Sequence, residues 1–107
     1  MNRCNVAGTL WITGGNNKGD GVPGASDEDI VICAELAMGV QQVVGALFQV
    51  PNQPMVFADD VLQKSRSEDA IIAYTWDHFI KNTNDPNYLV RFPMVKASLR
   101  AMDTMTA

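Results

Sequence analysis

Eight consecutive residues, Val43-Val44-Gly45-Ala46-Leu47-Phe48-Gln49-Val50, hold a single polar side chain and end at Pro51. The run does not alternate between apolar and polar positions. A strand of this kind needs cover on both faces, which a central strand of a parallel sheet receives. A parallel neighbour in turn needs a crossover connection, usually a helix. The run therefore asks for a second strand, an intervening helix and further helical cover, which is an α/β arrangement.

The upstream sequence supplies the first two. Gly8-Thr9-Leu10-Trp11-Ile12-Thr13 is rich in β-branched and aromatic residues and reads as a short buried strand that stops at Gly14-Gly15. A glycine-rich loop follows from Asn16 to Ala25, with Gly19, Gly21, Pro23 and Gly24. Ser26 is placed to cap a helix, with Asp29 three residues on and Asp27, Glu28 and Asp29 suited to its positive end. Ile30 to Met38 is apolar on most sides and is expected to be largely buried, with Gly39 as the left-handed stop. Strand, helix and strand make one βαβ unit, whose crossover is expected to be right-handed.

Beyond Pro51 the pattern is helical. After a connection from Asn52 to Lys64, Ser65-x-x-Glu68 matches a capping box and opens a helix over about Glu68 to Lys81. Ile72, Trp76, Phe79 and Ile80 form its apolar stripe, with Ile71 beside it. Asn82 to Asn87 reads as a turn around Pro86. A third helix starts near Pro93, with Val95, Leu99, Met102 and Met105 as its apolar face. Trp11, Trp76 and Phe79 are read as core aromatics.

The balance of charge limits the partners. Eight basic and twelve acidic residues give a net charge of −4, and the basic residues are scattered, so nucleic acid is not expected. No apolar run approaches the roughly 20 residues of a membrane span. The residues before Gly8 lack the apolar core of a secretory signal. The length of 107 residues fits one domain at most, and a hydrophobic share of 47% is that of a folded chain rather than a disordered one.

No complete catalytic set is visible. One histidine and no Cys-x-x-Cys make a zinc site unexpected, and neither metal nor cofactor is foreseen. Cys33 reads as a small core residue, and the sequence does not decide whether Cys4 joins it. Asn16, Asp20 and Asp27 fall at calcium-loop positions, but Lys18 stands where a ligand is needed, so a solvated loop is the reading. Phosphate-loop spacings are absent around Gly14-Gly15, although a strand ending in paired glycines can present N–H groups to an oxyanion. Ser26 lacks the Gly-x-Ser-x-Gly frame of a nucleophile and is read as a cap. His78 is read as a surface side chain. Asp59-Asp60 and Glu68-Asp69 are read as loop and helix-start charges rather than an acid–base pair.

Four blocks are familiar together: Leu10–Gly15, Phe48-Gln49-Val50-Pro51-Asn52-Gln53-Pro54, Lys64–Trp76 with Ser67-Glu68-Asp69-Ala70-Ile71-Ile72-Ala73-Tyr74-Thr75-Trp76, and Pro93–Asp103. In order and content the chain resembles the PhoPQ-activated pathogenicity-related family, which includes proteins named autocrine proliferation repressors. The resemblance implies an α/β-hydrolase-like three-layer sandwich, of which residues 1–107 would be a partial domain ending before the strand that bears the nucleophile. A Gly-x-Ser-Lys-Arg-Gly turn would follow the segment at Arg100–Met105, with the acid and histidine further on. No triad residue is therefore carried over, and the site residues expected are the loop at Gly14, Gly15 and Asn16. The rest of the parent domain is the implied partner, and open sheet edges imply self-association. Relatives are often exported, which implies a secreted or periplasmic parent with its leader upstream of Met1. Three functions follow as expectations: an inactive hydrolase-like segment, a self-standing interaction module, and a small hydrolase using Ser26.

Overall fold

The structure, a computed structural model, describes residues 7–16 and 21–107. Strand β1 (Gly8–Ile12) and strand β2 (Val43–Leu47) pair in parallel, from Gly8 opposite Val43 to Ile12 opposite Leu47. Helix α1 (Glu28–Val40) connects them. Helix α2 (Glu68–Lys81), a 3-10 turn at Pro86–Tyr88 and helix α3 (Arg91–Thr106) follow. The α/β class and the order of elements agree with the sequence. The second strand is shorter than the apolar run, because Gln49 adopts a left-handed φ of 62° that breaks extension.

Alternation along β1 puts Gly8, Leu10 and Ile12 on one face and Thr9 and Trp11 on the other. α3 lies on the first face. A Cβ on Gly8 would come 3.0 Å from Met105, and one on Gly45 would come 2.9 Å from it, so both glycines make room for that side chain. α1 lies on the second face, where the Trp11 Nε1–H donates to Asp29 Oδ1 at 2.8 Å. Helices thus cover both faces of a sheet only two strands wide.

The cover is thin. Cys33 is the buried residue of α1, while Val31, Met38 and Val40 are exposed. The expectation of a largely buried α1 fails, because an all-round apolar helix needs neighbours on several sides and here touches little but β2. The apolar face expected on α3 also fails in part. Met105 packs on the sheet, but Val95, Leu99 and Met102 are exposed. The radius of gyration is 17.2 Å, against about 13 Å for a closed domain of this length.

The second half closes more tightly. Met55 and Arg66 pair in an antiparallel bridge that shuts a loop over residues 55–66. Asp60 anchors it, accepting from Leu62 N and Lys64 N at 3.0 Å each and from the Arg66 guanidinium. Ile71 (0% exposed) and Thr75 (1%) are the most buried side chains. The Thr75 hydroxyl donates to Ile72 O and accepts from Val90 N, which ties α2 to the start of α3. The stripe expected to be buried is displaced around the helix: Trp76 and Ile80 face solvent, and Trp76 lies edge-on to Phe79. Trp11 is half-buried rather than core.

Helix ends also depart from the local motifs. Asp27, not Ser26, caps α1, its carboxylate accepting from Asp29 N at 3.1 Å. The left-handed stop is Gln41 (φ 53°), two residues past Gly39. At α2 the Ser65 box is replaced by Gln53, whose Oε1 accepts from Glu68 N at 2.7 Å while its Nε2 donates to Glu68 Oε1 at 3.2 Å. That reciprocal pair holds Glu68 at φ 41°, an unfavourable backbone for a residue with a Cβ. Pro93 sits in the first turn of α3, where its missing N–H costs nothing. No described helix is long and apolar enough to cross a membrane.

Candidate functional site: a cleft at the strand ends

In open parallel sheets, ligands bind beyond the carboxyl ends of the strands, where loops diverge and backbone groups are unpaired. Both strands of this sheet end at one cleft of about 420 Å³. Its lining includes Thr13, Gly14, Gly15 and Asn16 after β1, Phe48 and Gln49 after β2, and Asp27 and Asp29 from the start of α1. The expected oxyanion loop is therefore in the cleft. Gly15 adopts φ 109°, which only glycine takes without strain. Among the described residues, the Gly14 and Gly15 N–H groups have no acceptor.

The loop is fixed from behind. Thr13 N–H donates to Leu47 O at 3.0 Å, and Thr13 O accepts from Val50 N at 3.1 Å. Asn16 pairs with Gln53, the residue that clamps α2, and a Cβ on Gly14 would stand 3.3 Å from Glu68 Oε1. The carboxylates at the mouth are already engaged. Asp29 accepts from Trp11 and, at 3.3 Å, from the Thr13 hydroxyl, while Asp27 caps the helix. No serine, cysteine or histidine is among the described residues lining the cleft. The described lining thus pairs the glycine amides with two carboxylates that already hold hydrogen bonds.

The other candidates lie elsewhere. Ser26 is exposed and outside the cleft. Asp20 and Lys18, of the calcium-like spacing, and Cys4 lie outside the described residues. Cys33 is buried, and that burial, with the Asp29 charge second, pushes its thiol pKa up and away from reactivity. No metal-binding group of side chains occurs among the described residues.

His78 corrects the sequence reading most. It is half-buried, stacks on Tyr88 with ring centroids 3.7 Å apart, and holds Nε2 3.0 Å from Asp59 Oδ2. Its Nδ1 is buried and has no hydrogen-bond partner among the described residues. The Tyr88 hydroxyl donates to the Asp59 carboxylate at 2.7 Å, which holds that carboxyl below its usual range. Burial, reinforced by the same bond, pushes the Tyr88 pKa up. Phe57 stacks on Tyr74 at 4.4 Å, and Arg66 lies 4.1 Å over the Tyr74 ring. This cluster welds the loop to α2. Local sequence could not signal it, because Asp59, His78 and Tyr88 meet only through the fold.

Known proteins can now be set beside this geometry. The sequence profile described as PhoPQ-activated pathogenicity-related protein matches residues 2–107. The chain belongs to that family. Within it, autocrine proliferation repressor protein A of Dictyostelium discoideum is 41% identical over 97 residues, covering 90% of this chain and 18% of the relative. The chain thus spans less than a fifth of the length of that family relative. No solved structure matches it.

Proposed function

We propose that this chain forms the front of an α/β-hydrolase-like domain of its family and does not catalyse a reaction by itself. It supplies the strand–helix–strand start of the sheet and the Gly14-Gly15-Asn16 loop as an oxyanion-binding turn. The position of that loop carries the reading. It lies at the carboxyl ends of both parallel strands, with two glycine amides lacking acceptors among the described residues. Such amides stabilise negative charge developing on a carbonyl oxygen when a nucleophile is brought in from elsewhere. The cleft's lack of a described nucleophile supports inactivity of the chain alone, and the much longer Dictyostelium relative supports a larger parent.

The test is reaction of the purified chain with a fluorophosphonate serine probe and with p-nitrophenyl acetate. Neither labelling nor turnover above buffer is expected. Labelling that Ser26→Ala abolishes would instead support the small-hydrolase reading.

A self-standing interaction module is the second reading. The residues 55–66 loop favours it, because Val61 (96% exposed) and Leu62 (78%) stand at the tip of a hydrogen-bonded frame. The relative's name, a repressor of proliferation, points the same way. Under that reading, Val61→Ser/Leu62→Ser would remove a biological effect of added protein without lowering its stability. An unchanged effect would discard it.

A further inference from the structure

We propose that Glu68, held by Gln53, is the positioning residue of the Gly14-Gly15 loop, so that the start of α2 decides how the loop presents its amides to the cleft. The inference rests on the oxyanion reading above and adds what orders that site.

Two adjacent glycines are the freest backbone a chain can have, and fixing them loses more entropy than fixing any other pair. Amides on such a pair are aimed at a ligand only if contacts from outside restrain it. On one side Thr13 is tied to β2. On the other, Asn16 bridges in parallel to Gln53. Between them the contact is with Glu68. A Cβ built on Gly14 would meet Glu68 Oε1 at 3.3 Å, Gln53 Nε2 at 3.8 Å and Glu68 Cγ at 3.9 Å. At Gly15 the same construction meets no described atom within 4 Å. Gln53 and Glu68 thus supply the restraint against Gly14 and the one after Gly15.

The pair that does this is itself held in place. Gln53 is 4% exposed, and its amide is used at both ends. Oε1 accepts from Glu68 N–H, and Nε2 donates to the Glu68 carboxylate. The two bonds keep Glu68 at φ 41°, in the left-handed region that a side chain disfavours. A glycine would take that backbone without strain, but it would leave Gln53 Nε2 without its carboxylate and Gly14 without its neighbour. Strain of this kind persists where the surroundings over-determine it, and it gathers at ligand sites.

Glu68 is also the first residue of α2. Further along that helix, Ile71 and Thr75 are the most buried side chains in the described structure. The contact with Gly14 therefore reaches the cleft from a firmly anchored element, and the order of the loop is set from the more tightly closed half of the chain.

The experiment measures backbone amide order parameters of the purified chain by NMR relaxation, with Glu68→Ala and Glu68→Gln beside it. The Gln variant keeps the oxygen that meets Gln53 and Gly14 and removes the charge. Gly14 and Gly15 should be rigid in the unaltered chain, at about 0.85, and fall below about 0.6 in Glu68→Ala, with Ile71 to Thr75 unchanged. Glu68→Gln should keep the values of the unaltered chain. Gly14→Ala approaches from the other side. Its methyl group displaces the carboxylate, so hydrogen exchange at Glu68 N–H should quicken about tenfold. In the Glu68→Ala background, Gly14→Ala should add nothing, because the two residues act through one contact. Unchanged order parameters at Gly14 and Gly15 in Glu68→Ala would overturn the proposal and leave the oxyanion reading standing. Equal loosening by Glu68→Gln would overturn it too, since charge rather than contact would then order the loop. Should Glu68→Ala disturb α2 itself, Gly14→Ala decides, and an unchanged exchange rate at Glu68 overturns the proposal. Labelling of Ser26 by the serine probe would set aside the front-of-domain reading without altering any of these values.

Discussion

The two halves of this chain solve burial differently. Around α2, the residues 55–66 loop, the 3-10 turn and the start of α3 supply cover from near in sequence. Ile71, Thr75, Leu89, Gln53 and Asp60 are buried there. Around the sheet, only α1 and α3 are available, and Ile12, Val43, Val31, Leu99 and Met102 remain exposed. A parallel sheet is a long-range structure that needs strands on each side and helices on both faces. Two strands cannot provide that, whereas a loop stapled to a helix can close locally. The cleft lies on the open half, at the carboxyl ends of both strands.

Mutations should separate the halves. Ile71→Ala should cost about 4 kcal/mol in urea unfolding, as a fully enclosed side chain leaves a cavity. Leu99→Ala in the same chain should stay within about 0.5 kcal/mol. Comparable losses at both positions would erase the distinction. Gln53→Ala should cost about 2 kcal/mol, because it leaves Glu68 N–H without its acceptor and removes the clamp behind Asn16. Thr75→Val keeps the shape but strands Val90 N–H, and about 1 kcal/mol is expected in the same assay.

Acid should weaken the closed half through two of its carboxylates. The Tyr88 hydroxyl lowers the Asp59 pKa and the Arg66 guanidinium lowers that of Asp60, from an ordinary value of 3.8. Their contribution is complete above about pH 5 and is lost progressively as pH falls through the unfolded value and then the depressed folded values, because the unfolded chain binds protons more readily in that range. Thermal midpoints measured from pH 7 downward should drop only below that point. Asp60→Asn should make the drop shallower, and an unaltered profile would remove Asp60 from the account.

Much of this was legible in sequence, and the failures share a cause. The run from Val43 and the strand at Gly8–Ile12 announce a parallel pair, and the loop at Gly14-Gly15 falls where that pairing puts it. Adjacent cap formers such as Ser26 and Asp27 are chemically alike, so only geometry chooses between them. The Ser65 box lost to Gln53, a partner fifteen residues from Glu68 and invisible to a local motif. His78 was misplaced because its surroundings, Asp59 and Tyr88, come from other elements. The apolar stripes on α2 and α3 were read correctly as apolar, but periodicity assigns a face without saying what covers it.

The most direct test of the contrast is residue-resolved amide exchange on the purified chain at low concentration. Ile71 through Thr75 should exchange slowest, through opening of the closed half, while Leu10 and Ile12, which alternate with Thr13 away from β2, exchange rapidly from an unpaired edge. Equal, strong protection at Leu10 and Ile12 would mean that the sheet is already closed, and would contradict the account.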